Sequence, residues 1–404
     1  MSKKKDSLKP WLSRPAINRS VTLPLTRPLT QRLSNLNEFH PNELDPYLLF
    51  DARDSMIGTL ENPTLDLDPS KPDTLNVITA TRAGVATYTD VNGNIATASA
   101  DTVRVDYVDS VPMILVEPSA TNLVDYSEDF THSSWTKSNA TLTDDYGIAP
   151  DGANTSTRIQ YTGGSAYIAD NVSSGTYTAS AFVKGVAGEV VKFGIGLNVG
   201  QGAEFTLNGE WQRIQQTGTG NIIFFSSLGG NTATDFEIWG AQLEAGSVAT
   251  SYIPTSGGDA AARTRASDEL VISGSDFTDF YNGSAGTFFI QAQNRTPELN
   301  GAVLMGQNSN RLFFYKSNPN RLSTYDGGSF THHDGLVANQ LFNAAVTFNT
   351  SNRSLSLDGS ALDTDTINTN WAGADILKIG FGYSNNFNGH YRRIIYWPLH
   401  SDSL

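Results

Sequence analysis

Cysteine is absent from this chain of 404 residues. That excludes disulfides, zinc–thiolate centres, iron–sulfur clusters and a cysteine nucleophile. Charged residues are scarce, at 17% against the usual ~25%. No apolar run approaches the ~18 residues of a membrane helix, so no membrane insertion is expected. Met1-Ser2-Lys3-Lys4-Lys5 is charged, but no apolar stretch follows it, so no secretory signal is expected. Amphipathic stripes of three helical turns are also missing. Aromatics, at 10%, are ample for packed cores and exclude wholesale disorder. At ~150 residues per domain, the length predicts two or three domains.

The net charge of −14 is unevenly placed. Residues 1–32 hold Lys3, Lys4, Lys5, Lys9, Arg14, Arg19, Arg27 and Arg32 against the single acid Asp6, so this arm is +7 and the remainder −21. The acidic remainder repels phosphates, so no nucleic-acid partner is expected for the body. The arm itself suits nucleic acid or an acidic protein surface, and composition does not separate the two. Pro10, Pro15, Pro24, Pro28, Pro41 and Pro46 exclude a long helix or a central strand over residues 1–46. Trp11, Val21, Leu23, Leu25 and Leu29 offer apolar anchors. The expectation is an extended arm that orders on a partner rather than a solvated tail.

From Leu75 onward the period becomes two. Val77–Thr81 and Val85–Thr89 read as strands, and Asn92-Gly93 reads as a hairpin turn before Ile95. Tyr177, Ala179, Ala181 and Val183 alternate with Thr178, Ser180, Phe182 and Lys184. Val191, Phe193, Ile195 and Leu197 alternate with Lys192, Gly194 and Gly196, and Leu377, Ile379 and Phe381 with Lys378 and Gly380. Regular Gly-containing turns between short strands predict sandwiches or jelly rolls. The predicted fold class is all-β, with two tandem β-sandwich/jelly-roll modules after the arm. The expected divisions are 1–46 (anchoring arm), 47–120 (β-rich lead-in), 121–268 (jelly roll) and 269–404 (second sandwich).

Four stretches carry a family resemblance. They are Thr79–Ala83 through Tyr88–Ile95; Glu117-Pro118-Ser119-Ala120-Thr121-Asn122-Leu123 with Tyr126-Ser127-Glu128-Asp129-Phe130 and Trp135; Ala149-Pro150-Asp151-Gly152; and Ile238-Trp239-Gly240-Ala241-Gln242-Leu243-Glu244-Ala245-Gly246 with Thr250–Thr255. In this order they resemble tailed-bacteriophage virion structural proteins of the head-fibre, decoration or tail-fibre type. The resemblance implies a carbohydrate-binding-type jelly roll followed by a concanavalin A-like (laminin G-like) sandwich, most visible at Gly286–Ile290, Leu355–Gly359 and Gly389–Trp397. It implies location on the virion surface and a homotrimer. The arm lies outside the resemblance, and its charge and proline-spaced apolar residues carry the expectation that it anchors the chain to capsid, neck or tail proteins through Lys3, Lys4, Lys5, Lys9, Trp11, Arg14, Arg19, Arg27 and Arg32. Host-surface glycans are the implied ligands, bound weakly and in many copies. A purely structural collar or fibre role is the alternative reading. Related jelly rolls hold a structural calcium, but Trp239-Gly240 stands where they tend to carry an acid, and no cofactor is expected to be required.

Catalytic constellations are thin. Glu128-Asp129 and Asp144-Asp145 are adjacent, and adjacent residues on a strand face opposite ways. Glycanases of the concanavalin A-like type set alternating acids on one strand, whereas Glu269 and Glu298 are the only Glu in 269–404. No Gly-x-Ser-x-Gly elbow opens a helix. His332-His333-Asp334 reads as a solvated loop, since zinc needs three or four converging ligands. The expectation is therefore a chain that is not an enzyme. Flat rings remain as sugar platforms, and Trp135, Trp211, Tyr325 and Trp371 are the candidates. Trp239 and Trp397, in strongly alternating strands, are expected in cores.

Overall fold

The computed structural model describes residues 62–401 apart from 257–262, 296–300, 307–311, 317–319, 326–329, 361, 366–370, 372 and 382–386. The arm and its expected anchoring residues lie outside the described residues.

The fold is nearly all β. The first part of the chain forms β1 (Leu65–Leu67), β2 (Thr79–Thr81), β3 (Ala86–Thr89), β4 (Ile95–Ala98), β5 (Arg104–Val108), β6 (Val111–Val116) and β7 (Ala120–Asn122). The middle forms β8 (Thr136–Ser138), β9 (Ala140–Thr143), β10 (Thr157–Tyr161), β11 (Tyr167–Lys184), β12 (Val190–Gly196), β13 (Ala203–Thr206), β14 (Gln212–Ser226), β15 (Asp235–Ala245) and β16 (Arg263–Arg265). The last part forms β17 (Glu269–Ser273), the short α1 (Ser275–Thr278), β18 (Gly286–Asn294), β19 (Gly301–Gly306), β20 (Leu312–Lys316), β21 (Arg321–Tyr325) and β22 (Phe330–Asp334). It closes with β23 (Leu341–Phe348), β24 (Arg353–Leu357), β25 (Asp363–Asp365), β26 (Ile376–Ile379) and β27 (Gly389–Trp397).

The jelly-roll sheet runs β13-β12-β14-β11-β15-β10-β9, with β8 also on β11. Its inward residues are those the alternation marked: Ala179, Ala181, Val183, Val191, Phe193 and Ile195 pack with Phe225, Phe236 and Leu243. Leu197 lies past the end of β12 and is exposed. The second sandwich sets β25-β24-β23-β18-β27-β6-β5 against β2-β17-β26-β19-β20-β21-β22. Its core joins Leu270, Ile272, Phe288, Ile290, Leu377, Ile379, Tyr391 and Ile394.

The segment expected as a lead-in is woven into this second sandwich. β6 continues its first sheet through Leu115↔His390, β1 pairs with β27 through Asp66↔Ile395, and β2 pairs with β17 through Ala80↔Leu270. Arg393 clamps Asp66 with two bonds of 2.7 Å. β3 and β4 form the expected hairpin, but its loop spans Asp90–Asn94. The Asp90 carboxylate accepts from the Asn92 and Asn94 amides at 2.8 Å, and Gly93 supplies a φ of 84°.

Gly240 has a distinct physical role. The β11–β15 register shifts between Ser180 and Phe182, and Gly240 sits at that bulge with φ 62°. A Cβ there would lie 3.1 Å from the Tyr252 ring. The bulge brings Trp239 within 4.6 Å of Tyr252 and 5.5 Å of Phe182. Gly240→Ala meets both the left-handed backbone cost and this ring, so it is expected to lower stability by about 1–3 kcal/mol. Thermal unfolding against wild type measures this, and an unchanged midpoint contradicts the assigned role.

Candidate functional site

A buried polar seam joins the three parts of the chain. Glu117, just past β6, is wholly buried. Arg104 of β5 meets it at 2.9 Å, Arg295 after β18 at 3.0 Å and Arg265 of β16 at 3.5 Å. The Ser251 amide and hydroxyl donate to its two oxygens at 2.7 and 2.6 Å. Asp268 lies beside it, paired with Arg104 and, at 2.9 Å, with Arg82. The Glu117 amide donates to the Asp268 carboxylate at 2.9 Å, and the Asp268 amide to the Glu117 carbonyl at 3.0 Å. Burial alone pushes the Glu117 carboxyl up. The Arg265, Arg104 and Arg295 guanidinium groups and Ser251 outweigh this and hold it well below the usual carboxylate range.

Several residues of the motifs that carry the family resemblance, among them Arg82, Glu117, Asn122, Ser127, Gln242 and Glu244, belong to or adjoin this seam. The Asn122 amide donates to the Ala241 and Ile253 carbonyls at 3.2 and 2.8 Å, and its oxygen accepts from the Val124 and Leu243 amides at 3.1 Å. All the hydrogen-bonding capacity of that buried side chain is used. Ser127 and Glu128 meet the Tyr252 hydroxyl at 2.7 and 2.8 Å, and Gln242 and Glu244 hold the segment 250–253 by the amides of Ile253 and Thr250. These motif residues therefore clamp distant segments together.

Above the seam lies a cleft of about 380 Å³, between the β3–β4 hairpin, β5–β6 and the two sandwiches. Tyr88, Asp106, Arg213, Tyr252, Arg295 and His390 are among its lining residues. The His390 Nε2 lies 2.8 Å from Asp106 Oδ2, and the Thr89 amide donates to the other Asp106 oxygen at 2.5 Å. Burial pushes the Asp106 carboxyl up, and the His390 contact with the Thr89 bond brings it below its ordinary value. Arg213 donates to the Thr250 carbonyl at 2.7 Å and the Ser180 hydroxyl at 3.0 Å, with Phe182 beneath its guanidinium at 5.5 Å. Burial pushes Arg213 down to about 10, against the pull of Glu244.

The structure divides the sequence-derived ring candidates. Trp135 is a core residue, since its ring packs 5.0 Å from Phe130 and its Nε1 donates to the Tyr126 carbonyl at 2.9 Å. Trp371 is likewise enclosed, with Phe313 and Phe348 at 4.9 and 4.6 Å and its Nε1 reaching the Tyr325 carbonyl at 3.3 Å. Both are corrections, because a ring with no open face cannot stack on a sugar. Trp211 is half-buried and tied to the Ile148 carbonyl at 2.9 Å. Trp239 and Trp397 are buried.

Tyr325 stands on an open face. It pairs across the hairpin with Phe330, their rings stacked at 4.3 Å and 22°. Phe330 is 41% exposed, and His332 continues the stack at 5.5 Å and 13°. The expected His332–Asp334 loop is instead edge strand β22, with His332 bonded to Ser323 at 2.8 Å and His333 to Ser360 at 2.5 Å. Phe330 was legible in the sequence, since Tyr325 and Phe330 flank the turn-forming Asp326-Gly327-Gly328-Ser329. Nothing local signals the cleft, whose lining comes from separate stretches of chain scattered between residues 87 and 390. Among the described residues no group of three or more His, Asp or Glu is placed to hold a metal ion, and no helix is long and apolar enough to cross a membrane.

No family model and no curated protein matches the chain. Among solved structures, the chain is similar to the CBM40 of the Ruminococcus gnavus IT-sialidase bound to α2,3-sialyllactose, at 16% identity and a TM-score of 0.25, over 30% of this chain and 78% of that one. It is similar to the Trypanosoma rangeli sialidase in complex with the inhibitor DANA, at 13% identity and a TM-score of 0.28, over 33% of this chain and 24% of that one. A structure described as a receptor binding domain matches at 12% identity and a TM-score of 0.27, over 34% of this chain and 37% of that one. The neighbours are carbohydrate-binding and sialidase-type β-domains. The expectation that the chain is not an enzyme is corrected here, because sialidases stand among these similar structures.

The seam generates a prediction. Removing one partner of a buried pair costs about 3–5 kcal/mol, so Glu117→Gln is expected to unfold at markedly lower denaturant. The Glu117 carboxyl is depressed in the folded state, so its contribution is complete above its ordinary value of 4.5 and is lost as pH falls through the folded value. Wild type should lose stability progressively below that point, and Glu117→Gln should lose less of it. Denaturant titrations across the acid range check both, and parallel pH profiles would contradict the role given to Glu117.

Proposed function

We propose that this chain is a glycan-binding β-sandwich protein of the phage-appendage type, with the Tyr325–Phe330 pair as a sugar platform. The observation that carries the reading is the stack of Tyr325 on β21 with Phe330 and His332 on the edge strand β22 of the second sandwich, with Phe330 open to solvent. The faces of aromatic rings carry negative potential, and the C–H groups of a pyranose present positive edges to them. The open face of Phe330, backed by the half-buried Tyr325, supplies that contact, and the exposed His332 beside it supplies a hydrogen-bonding group. A shallow site of this kind binds weakly, and display in many copies raises avidity by ~10²–10⁴ with no new contact.

The test is binding of the purified protein to host cells and to polysaccharide from their surface. Each ring contributes about 0.5–1.5 kcal/mol, so Tyr325→Ala and Phe330→Ala should each weaken binding about two- to tenfold. Val186→Ala, at an exposed position elsewhere, should leave it unchanged. Wild-type binding that survives the double ring variant sinks the platform. No binding by wild type at all favours the purely structural reading of a collar or fibre component.

The same proposal places the chain on the virion surface, anchored by its basic arm to acidic capsid, neck or tail proteins, as a homotrimer. Its support is the +7 charge and proline-spaced apolar residues of the arm, and the edge strands that packing around an axis would cover. Particles supplied only with a chain lacking residues 1–46 should carry none of it, while the shortened protein stays folded. Incorporation at normal copy number puts the anchor elsewhere, and a monomeric mass by light scattering removes the trimer.

A further inference from the structure

We propose that Ser360 is a nucleophile activated by His333, and that this pair hydrolyses small acyl esters at the surface of the second sandwich. The first argument is the pairing itself. The His333 Nε2 lies 2.5 Å from Ser360 Oγ, and its Nδ1 lies 2.7 Å from the Asp334 carbonyl oxygen. A carbonyl oxygen only accepts, so the proton of the neutral ring sits on Nδ1. That leaves the Nε2 lone pair for the hydroxyl, and Ser360 donates to it. A serine, a base within hydrogen-bond reach and a third group that orients the base are the parts of an activated nucleophile.

The second argument is charge and access. Asp363 Oδ2 stands 3.9 Å from the same Nε2. A carboxylate therefore faces the imidazolium that forms when the ring takes the serine proton, and opposite charge at that range favours it. Ser360 and His333 are half-buried and Asp363 is exposed, so a small group reaches the hydroxyl from solvent. The nearby Ser323–His332 contact, at 2.8 Å, marks the contrast. Ser323 is wholly buried, and no substrate reaches its oxygen.

The third argument is placement. Asp358 and Gly359 have φ of 49° and 75°, the positive pair of a type I′ turn, and the Ser360 amide closes it on the Leu357 carbonyl at 3.0 Å. The Ser356 hydroxyl donates to the Ser360 carbonyl at 2.8 Å, and the Leu357 amide to Ser360 Oγ at 3.2 Å. These bonds aim Oγ at β22. One of its two lone pairs takes the Leu357 amide, and the other is left for attack.

In the reaction, Ser360 Oγ bonds to the ester carbonyl carbon as its proton passes to His333 Nε2. The bond from that carbon to the alkoxy oxygen then breaks, and His333 gives the proton to the leaving alcohol. Water attacks the acyl-serine by the same route. One water proton passes through His333 to Ser360, and the acyl group leaves as a carboxylic acid. The pair includes neither Tyr325 nor Phe330, so it stands or falls apart from the sugar platform.

The experiment treats the full chain with diisopropyl fluorophosphate and locates the label by peptide mass spectrometry. Hydrolysis of p-nitrophenyl acetate gives the rate. The label should fall on Ser360 in the native chain and be absent after prior denaturation. A general base contributes about 10²–10⁴-fold, so Ser360→Ala and His333→Gln should each slow hydrolysis about a hundredfold or more. His333→Gln should also abolish the label, and Val186→Ala, at an exposed position elsewhere, should change neither reading. Circular dichroism establishes that each variant is folded, and if Ser360→Ala does not fold, the wild-type label and His333→Gln carry the test. An unlabelled Ser360 in the native chain, equal labelling after denaturation, or wild-type hydrolysis by folded Ser360→Ala overturns the proposal. Wild-type labelling of folded His333→Gln overturns the role of His333 as base.

Discussion

Glu117 and Asp268 are two carboxylates with no access to water, neutralised by guanidinium groups from distant stretches of the chain. Arg82 and Arg104 come from the strands before the jelly roll, Arg265 from its far side, and Arg295 from the second sandwich. Desolvating such ions costs several kcal/mol each, and only close partners with full hydrogen bonding offset it. The arrangement therefore tolerates little displacement of any contributing strand. Its consequence is positional: 117 must lie beside 268, 251 and 295, and 268 beside 82 and 104, before the charges are compensated.

That constraint explains how a hairpin and two sandwiches make a cleft with defined chemistry. The Arg295 that reaches Glu117 also lines the cleft, and so does the Ser251 that donates to it. Tyr252 follows directly and is fixed by Ser127 and Glu128. The Gly240 bulge serves the same end, since a residue without Cβ lets β15 approach the Tyr252 ring without the 3.1 Å contact that a Cβ would make. Scaffold and cleft wall are thus neighbouring residues of the same segments. The polar motifs along the chain hold the backbone in place, and the cleft walls depend on that placement.

The aromatic residues show how similar patterns lead to different uses. Trp135 and Trp371 each spend their indole N–H on a backbone carbonyl and their faces on other rings. Tyr325 has a similar carbonyl bond to Trp371 beneath it, yet its own ring lies against Phe330 on an edge strand. Burial of a large ring stabilises a sandwich by a few kcal/mol, so most rings are drawn inward. Phe330 and His332 lie on the outward face of β22, whereas Thr331 between them is buried against Arg353.

The sequence by itself determined the all-β class, the inward faces of β11, β12 and β26, the hairpin after Tyr88 and the burial of Trp239 and Trp397. Each follows from a period of two or a turn residue, which are properties of neighbours along the chain. Expectations failed where the deciding partner lay far away in sequence. Whether Trp371 or Tyr325 faces solvent depends on which strands cover them, and alternation marks a face without saying what lies over it. The woven lead-in, the Glu117–Asp268 seam and the cleft join residues as far apart as 88 and 390. Only the tertiary structure decided these, because desolvation and charge pairing act through space between groups that no local pattern relates.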